Sequence, residues 1–144
     1  MIPLTTLLII CLFSFSSYSE ACTCLPSSTK DKICGLDYVA VVDLNGPSDL
    51  CDKETSVCSN IQVLETLKGN SVEPKIIETG TIVPLCGLGK LPFEGKYIVG
   101  GRLSKESISL DMCNSLLTLV NGPEDPEVTE IKKNLEDCLT EAIQ

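Results

Sequence analysis

The sequence contains no histidine and no tryptophan, and its aromatic content is 4%. Without histidine the chain has no Ser-His or Cys-His nucleophile pair, no histidine-based zinc helix and no imidazole base. Its acidic residues form no arrangement that singles out a catalytic pair, so solvated surface is their default interpretation. We therefore expect a protein that is not an enzyme and needs no cofactor.

Basic residues are also scarce. Eleven lysines and arginines stand against 20 acidic residues, which gives a formal net charge of −9 at pH 7. An acidic chain without a basic cluster argues against nucleic acid and anionic membrane surfaces as partners.

Long apolar runs are absent as well. The run Leu7–Phe13 is far shorter than the stretch of about 18 apolar residues that a membrane-spanning helix needs. Small and polar residues follow it, and Ser19 and Ala21 stand where a signal peptidase reads small side chains before a cut at Cys22. We expect residues 1–21 to be a signal peptide and residues 22–144 to be one secreted, extracellular domain. A membrane anchor is the competing interpretation, and cleavage after Ser19 also satisfies the pattern.

Cysteine is the most informative residue type that is present. Nine cysteines occur, and Cys11 lies within the predicted signal peptide. An even number remains, which in a small secreted domain indicates disulfide bonds. A zinc site that uses Cys22 and Cys24 is the alternative, but the chain has no histidine and no CxxC pair. Eight cysteines allow about 105 pairings, so spacing alone leaves the pairing open. The remaining cysteines are Cys22, Cys24, Cys34, Cys51, Cys58, Cys86, Cys113 and Cys138.

Apolar and β-branched residues recur in short runs that predict five strands and a small closed sheet. The paired glycines Gly100 and Gly101 predict a sharp bend, such as a barrel corner, and residues 45–49 predict a turn. The predicted strands cover residues 36–44, 57–67, 75–79, 96–103 and 107–113.

The end of the chain changes to a helical period. Asp125 is placed to cap a helix that has Pro126 at its first position. The apolar stripe that follows predicts a helix with one face packed inward, and a cysteine on the stripe can pin it. The stripe consists of Val128, Ile131, Leu135, Cys138, Leu139 and Ala142.

Two short segments have the residue types that bind ligands. Gly87-Leu88-Gly89-Lys90 lacks the spacing of a phosphate loop, so we expect an ordinary loop. Cys22, once freed as the N-terminal residue, carries an α-amine with an ordinary pKa of about 7.7–8.0. That nitrogen and the Cys22 carbonyl oxygen can chelate a metal ion, and a catalytic zinc keeps one coordination position open. The simpler interpretation is that Cys22 and Cys24 are only structural cross-links.

The start Cys22-Thr23-Cys24-Leu25-Pro26, followed by Cys34, resembles the N-terminal, netrin-like domain of the tissue inhibitors of metalloproteinases. The resemblance covers essentially the whole of residues 22–144, as a single-domain form. Further matching segments are Val63–Gly69, Leu85-Cys86-Gly87, Tyr97–Gly101, Met112-Cys113 and Cys138.

The resemblance implies a mostly β, disulfide-rich OB-fold, which is a five-stranded closed Greek-key barrel with a flanking C-terminal helix. It also implies the disulfides Cys22–Cys86, Cys24–Cys113 and Cys34–Cys138, which leaves Cys51–Cys58 as a local fourth.

The resemblance further implies how the domain binds its target. The amine and carbonyl of Cys22 bind the target's zinc, and Thr23 enters the adjacent specificity pocket. Cys24, Leu25 and Pro26 lie along the substrate cleft. The segment Val83, Pro84, Leu85, Cys86 and Gly87 contacts its other side.

Three function classes follow. The first is a secreted inhibitor of zinc metalloendopeptidases of the matrix metalloproteinase type, acting as a monomer. The second is a secreted netrin-like interaction or immunomodulatory module that does not bind zinc. The third is an enzyme or small-ligand carrier built on the barrel. Two features depart from the family pattern. The connection between the first and second strands is short and is closed by Cys51 and Cys58, and Leu25 is bulkier than the usual residue at its position.

Overall fold

The computed structural model describes residues 22–81 and 86–141 of the chain. The predicted signal peptide, Val83, Pro84, Leu85 and Ala142 lie outside these ranges. In chain order the elements are α1 (Thr29–Gly35), β1 (Tyr38–Pro47), β2 (Ser56–Lys68), β3 (Ile76–Gly80), β4 (Glu94–Ser104), β5 (Ser107–Leu110), β6 (Leu116–Val120) and α2 (Pro126–Glu141).

Five of these strands close into a barrel. Their order is β1-β2-β3-β5-β4, and β4 pairs with β1 to complete the ring. The pair β3–β5 is parallel, and the other pairs in the ring are antiparallel. This arrangement is the OB-fold barrel with a flanking C-terminal helix, which confirms the predicted fold.

Strand β1 is buried on both of its faces, which explains its nearly continuous apolar sequence. Tyr38, Ala40 and Val42 point into the barrel, where they pack with Ile77 and Ile108. The alternate residues point outward into a second core between the barrel and the two helices. That outer core contains Val39, Val41, Ile98, Ile33, Val128, Ile131 and Leu135.

Helix α2 begins as the sequence predicts. The Asp125 side chain accepts hydrogen bonds from the Glu127 N–H at 3.1 Å and from the Asn121 N–H at 2.9 Å, and Pro126 opens the helix. Val128, Ile131 and Leu135 are buried, and Cys138 is half-buried. The prediction for Leu139 is wrong: it is exposed although it lies only about 40° around the helix from Leu135, because the buried outer core under α2 ends at Leu135.

The glycine pair Gly100–Gly101 marks the point at which β4 changes neighbours. Lys96–Gly100 pairs with β6, and Arg102–Ser104 pairs with β5. A Cβ atom on Gly100 would lie 2.6 Å from Leu36, and one on Gly101 would lie 2.4 Å from the Ser109 carbonyl. The glycines allow close packing at this corner.

Two predicted boundaries are wrong. The turn predicted at residues 45–49 does not begin at residue 45, because β1 continues to Pro47. A register shift between Leu44 and Pro47, with Gly46 at φ 94°, forms a bulge that keeps this irregular stretch paired with β2. Strand β5 ends at Leu110 instead of Cys113, because the Asp111 side chain starts a turn. Helix α1 and strand β6 were not predicted.

Candidate functional site

The segment Cys22–Pro26 lies outside helices and strands, yet it is fastened to the barrel at two points. Cys22 is bonded to Cys86, and Cys24 is bonded to Cys113, with Cα–Cα distances of 5.6 and 5.2 Å. Thr23, which lies between the two bonded cysteines, is exposed. Leu25, which follows the second of them, is 87% exposed. The segment is therefore both accessible and anchored.

The two anchor points are neighbours because β3 and β5 run parallel. Their register pairs Thr79 with Leu110, so both strands end at the same end of the barrel, here called the upper end. The chain that follows each strand carries one anchor cysteine. The Met112 N–H donates to the Cys86 carbonyl at 2.9 Å, which joins these two stretches directly. Cys22 and Cys24 are two residues apart, about 7 Å in extended chain, and span them.

Residues Cys86–Gly89, here called the Cys86 loop, are packed on the end of β3. A Cβ atom on Gly87 would lie 2.1 Å from the Gly80 carbonyl oxygen, so only glycine fits there. The Gly89 N–H donates to the same oxygen at 3.1 Å. Cys86 adopts φ 56°, a left-handed conformation that non-glycine residues seldom adopt unless their surroundings hold them.

The other anchor, Cys113, lies in a turn built by Asp111. The Asp111 carboxylate accepts from the Cys113 N–H at 2.8 Å and from the Asn114 N–H at 2.6 Å. The Ser115 hydroxyl accepts from the Asp111 N–H at 2.6 Å. A short polar side chain that bonds its own following backbone is the usual way to build such a turn. Met112 is exposed there, beside Cys113.

The remaining disulfides fix other parts of the fold. Cys34–Cys138 joins α1 to α2, and Cys51–Cys58 closes the connection between β1 and β2. That connection is held against β2, because the Ser48 N–H donates to the Cys58 carbonyl at 3.0 Å. Three of the four bonds are the pairings that the resemblance implies, and Cys51–Cys58 joins the two cysteines that these three leave. Four disulfides are typical of proteins that fold outside the reducing cytosol.

A polar cleft of about 260 Å³ lies next to the anchored segment, between α1 and the turn after β5. Charged side chains of both signs face it, and no group of three potential metal ligands converges within the described ranges. The cleft is lined in part by Ser27, Asp31, Asp37, Arg102, Asp111 and Asn114.

Neither helix of residues 22–81 and 86–141 is long and apolar enough to cross a membrane.

The structure brings most of the predicted site residues together. Cys22–Pro26, Cys86 and Gly87 lie at the upper end of the barrel, whereas Val83, Pro84 and Leu85 fall outside the described residues. Sequence reasoning gave no role to Thr79, Asp111 or Met112. The sequence could have singled out Met112, because it precedes an anchor cysteine. It could not have singled out Thr79, because that residue continues an ordinary strand pattern.

No protein-family model matches the sequence. The comparison with curated proteins returned no match either.

Proposed function

We propose that residues 22–144 form a secreted inhibitor of zinc metalloendopeptidases of the matrix metalloproteinase type. One observation carries the proposal: an exposed segment that begins at a cysteine is bonded, at its first and third residues, to two adjoining loops. The resemblance to the tissue inhibitors of metalloproteinases gives this arrangement its chemical interpretation.

Removal of residues 1–21 would give Cys22 a free α-amine. With an ordinary pKa of about 7.7–8.0, this amine gives up its proton at little cost near neutral pH. Its nitrogen and the Cys22 carbonyl oxygen would then close a chelate ring on the target's zinc, at the position that a catalytic site keeps open for water. Thr23, exposed beside Cys22, would enter the adjacent pocket.

The anchoring also supports tight binding. A free chain terminus loses conformational entropy when it is bound, and a terminus that is already held loses much less. The bond Cys22–Cys86 unites the terminal segment with the Cys86 loop as one rigid edge. Leu25, exposed on that edge, supplies apolar area for the substrate cleft alongside Cys24 and Pro26.

The first test compares three forms of the protein against the catalytic domain of a matrix metalloproteinase. They are the form that starts at Cys22, a form with one alanine added before Cys22, and a control with one alanine added after Gln144. We expect the first and third to inhibit equally. The second should lose inhibition by at least about a hundredfold, because its amine is an amide and its new terminus is displaced from the zinc.

Equal inhibition by all three forms would reject chelation. No inhibition by any of them would reject the proposed function and favour the second class, a secreted netrin-like interaction or immunomodulatory module. Mass spectrometry of the secreted protein checks the starting point, since cleavage after Ser19 would leave Glu20 and Ala21 in front of Cys22.

A further inference from the structure

Thr79 places a buried hydroxyl at the upper end of the barrel. It is 1% exposed, and it follows Ile77 on the inward face of β3. Its hydroxyl donates to the Leu110 carbonyl at 2.8 Å and accepts from the Leu88 N–H at 2.8 Å. One side chain therefore joins the end of β5 to the Cys86 loop.

The Thr79 bond holds the Cys86 loop from inside the barrel. The Cys22–Cys86 disulfide and the Leu88 side chain, which packs against the barrel core, also hold this loop. Its backbone adds further contacts: Gly87 lies against Gly80, the Gly89 N–H donates to the Gly80 carbonyl, and the Cys86 carbonyl accepts from the Met112 N–H. A hydroxyl can donate and accept at the same time, so Thr79 satisfies a carbonyl and an N–H with one atom. Substitution at Thr79 is therefore a direct way to loosen the loop without touching a disulfide and without adding an atom.

We infer that Thr79 is a positioning residue for the edge that Cys22–Pro26 and the Cys86 loop form. Its hydroxyl fixes the Cys86 loop, and the loop fixes Cys22 through the disulfide. This inference rests on the proposed function. Thr79 is inside the barrel and acts only through the loop. Removal of the Thr79 hydroxyl should leave the residues that contact the target in place but hold them less firmly. The complex should therefore dissociate faster.

Two substitutions separate the hydroxyl from the shape of the side chain. Thr79→Val keeps the branched shape and removes both hydrogen bonds, which leaves the Leu88 N–H without this acceptor. Thr79→Ser keeps the hydroxyl and loses one methyl group. Val128→Ala is the control for general loss of stability, because Val128 is fully buried on the inner face of α2, in the outer core.

The experiment measures the dissociation rate constant of each variant from the catalytic domain of a zinc metalloproteinase, together with its Tm. Thr79→Val should dissociate about tenfold faster than the parent, which corresponds to about 1.4 kcal/mol. Thr79→Ser should stay within about threefold of the parent. Val128→Ala should lower Tm and leave the dissociation rate unchanged. Amide hydrogen exchange at Leu88 and Gly89 should accelerate in Thr79→Val alone.

The outcomes separate this inference from the function on which it rests. If the parent protein inhibits and Thr79→Val dissociates at the parent's rate, Thr79 is not a positioning residue and the proposed function stands. Equal acceleration in Thr79→Val and Val128→Ala would show a general stability effect and also overturn the inference. If the parent does not inhibit, the proposed function fails and the inference fails with it.

Discussion

Gly87 and Cys86 show how single residues shape the candidate site. Gly87 lies against the Gly80 backbone with no room for a side chain, and Cys86 takes a left-handed backbone conformation next to it. The two residues turn the chain so that the Cys86 side chain reaches Cys22. The site is thus set by backbone geometry as much as by side-chain chemistry.

Gly87→Ala should disrupt this geometry. Its Cβ atom would lie 2.1 Å from the Gly80 carbonyl oxygen, so either β3 or the Cys86 loop has to move. Overpacking of this kind costs about 1–3 kcal/mol in the free energy of unfolding. We expect a lower denaturation midpoint in urea and weaker inhibition.

Gly35→Ala is the matched control, because a Cβ atom at Gly35 has no described neighbour within 4 Å. It should lower neither the denaturation midpoint nor the inhibition, because alanine favours a helix over glycine. If Gly87→Ala behaves like Gly35→Ala, the tight contact with Gly80 does not hold the loop.

At the residue scale, the sequence identified the cysteines but not their surroundings. Cys22, Cys24 and Cys86 stand out because cysteine has a specific chemistry. The contacts of Gly87 with Gly80 and of Thr79 with Leu88 cannot be recognised in the sequence. Each contact joins segments that lie close together only in the folded barrel. Ordinary residues become site residues only through such contacts.

Among the elements, predictability followed the length and regularity of the pattern. The four longer predicted strands and α2 gave either a nearly continuous apolar run rich in β-branched residues, as in β1, or an apolar period, and the structure contains all of them. Helix α1 has seven residues and buries only Ile33, so no period was visible, although Ser28 and Asp31 form a capping box. Strand β6 is a short run of apolar residues, which periodicity alone cannot assign.

Helix α2 gives a pH-dependent prediction through its cap. The Asp125 carboxylate accepts from the Asn121 and Glu127 N–H groups and from the Asn121 side chain, and these bonds lower its pKa below the usual 3.8. A pKa lowered by folding means that ionised Asp125 stabilises the fold above the unfolded value. This stabilisation is lost as the pH falls through the folded pKa.

Asp125→Ala should therefore lower Tm by a few degrees at pH 7, and the gap from the parent should close as the pH falls below 3.8. Thermal unfolding followed by circular dichroism between pH 2 and 7 measures this. Glu124→Ala, which removes the adjacent exposed carboxylate, should show a smaller gap at pH 7. A gap for Asp125→Ala that stays constant across the whole pH range would contradict this account of the cap.

For the whole molecule, one topological fact produces the candidate site. The parallel pairing of β3 and β5 places two loops side by side at the upper end, and two disulfides tie Cys22 and Cys24 across them. The pattern of strands indicated a small closed sheet, but strand order cannot be read from periodicity. The closed five-stranded barrel and three of the cysteine pairs came from the resemblance, and the structure has both.

The central claim is that the backbone of Cys22 binds the zinc of the target enzyme. The most direct measurement replaces that zinc with Co²⁺ in a matrix metalloproteinase catalytic domain and records the visible absorption spectrum, which reports the ligands of the metal. Addition of the form that starts at Cys22 should change the Co²⁺ spectrum in proportion to the complex formed, and the form with alanine before Cys22 should not. An inhibited complex whose Co²⁺ spectrum is the same as that of the free enzyme would contradict the claim.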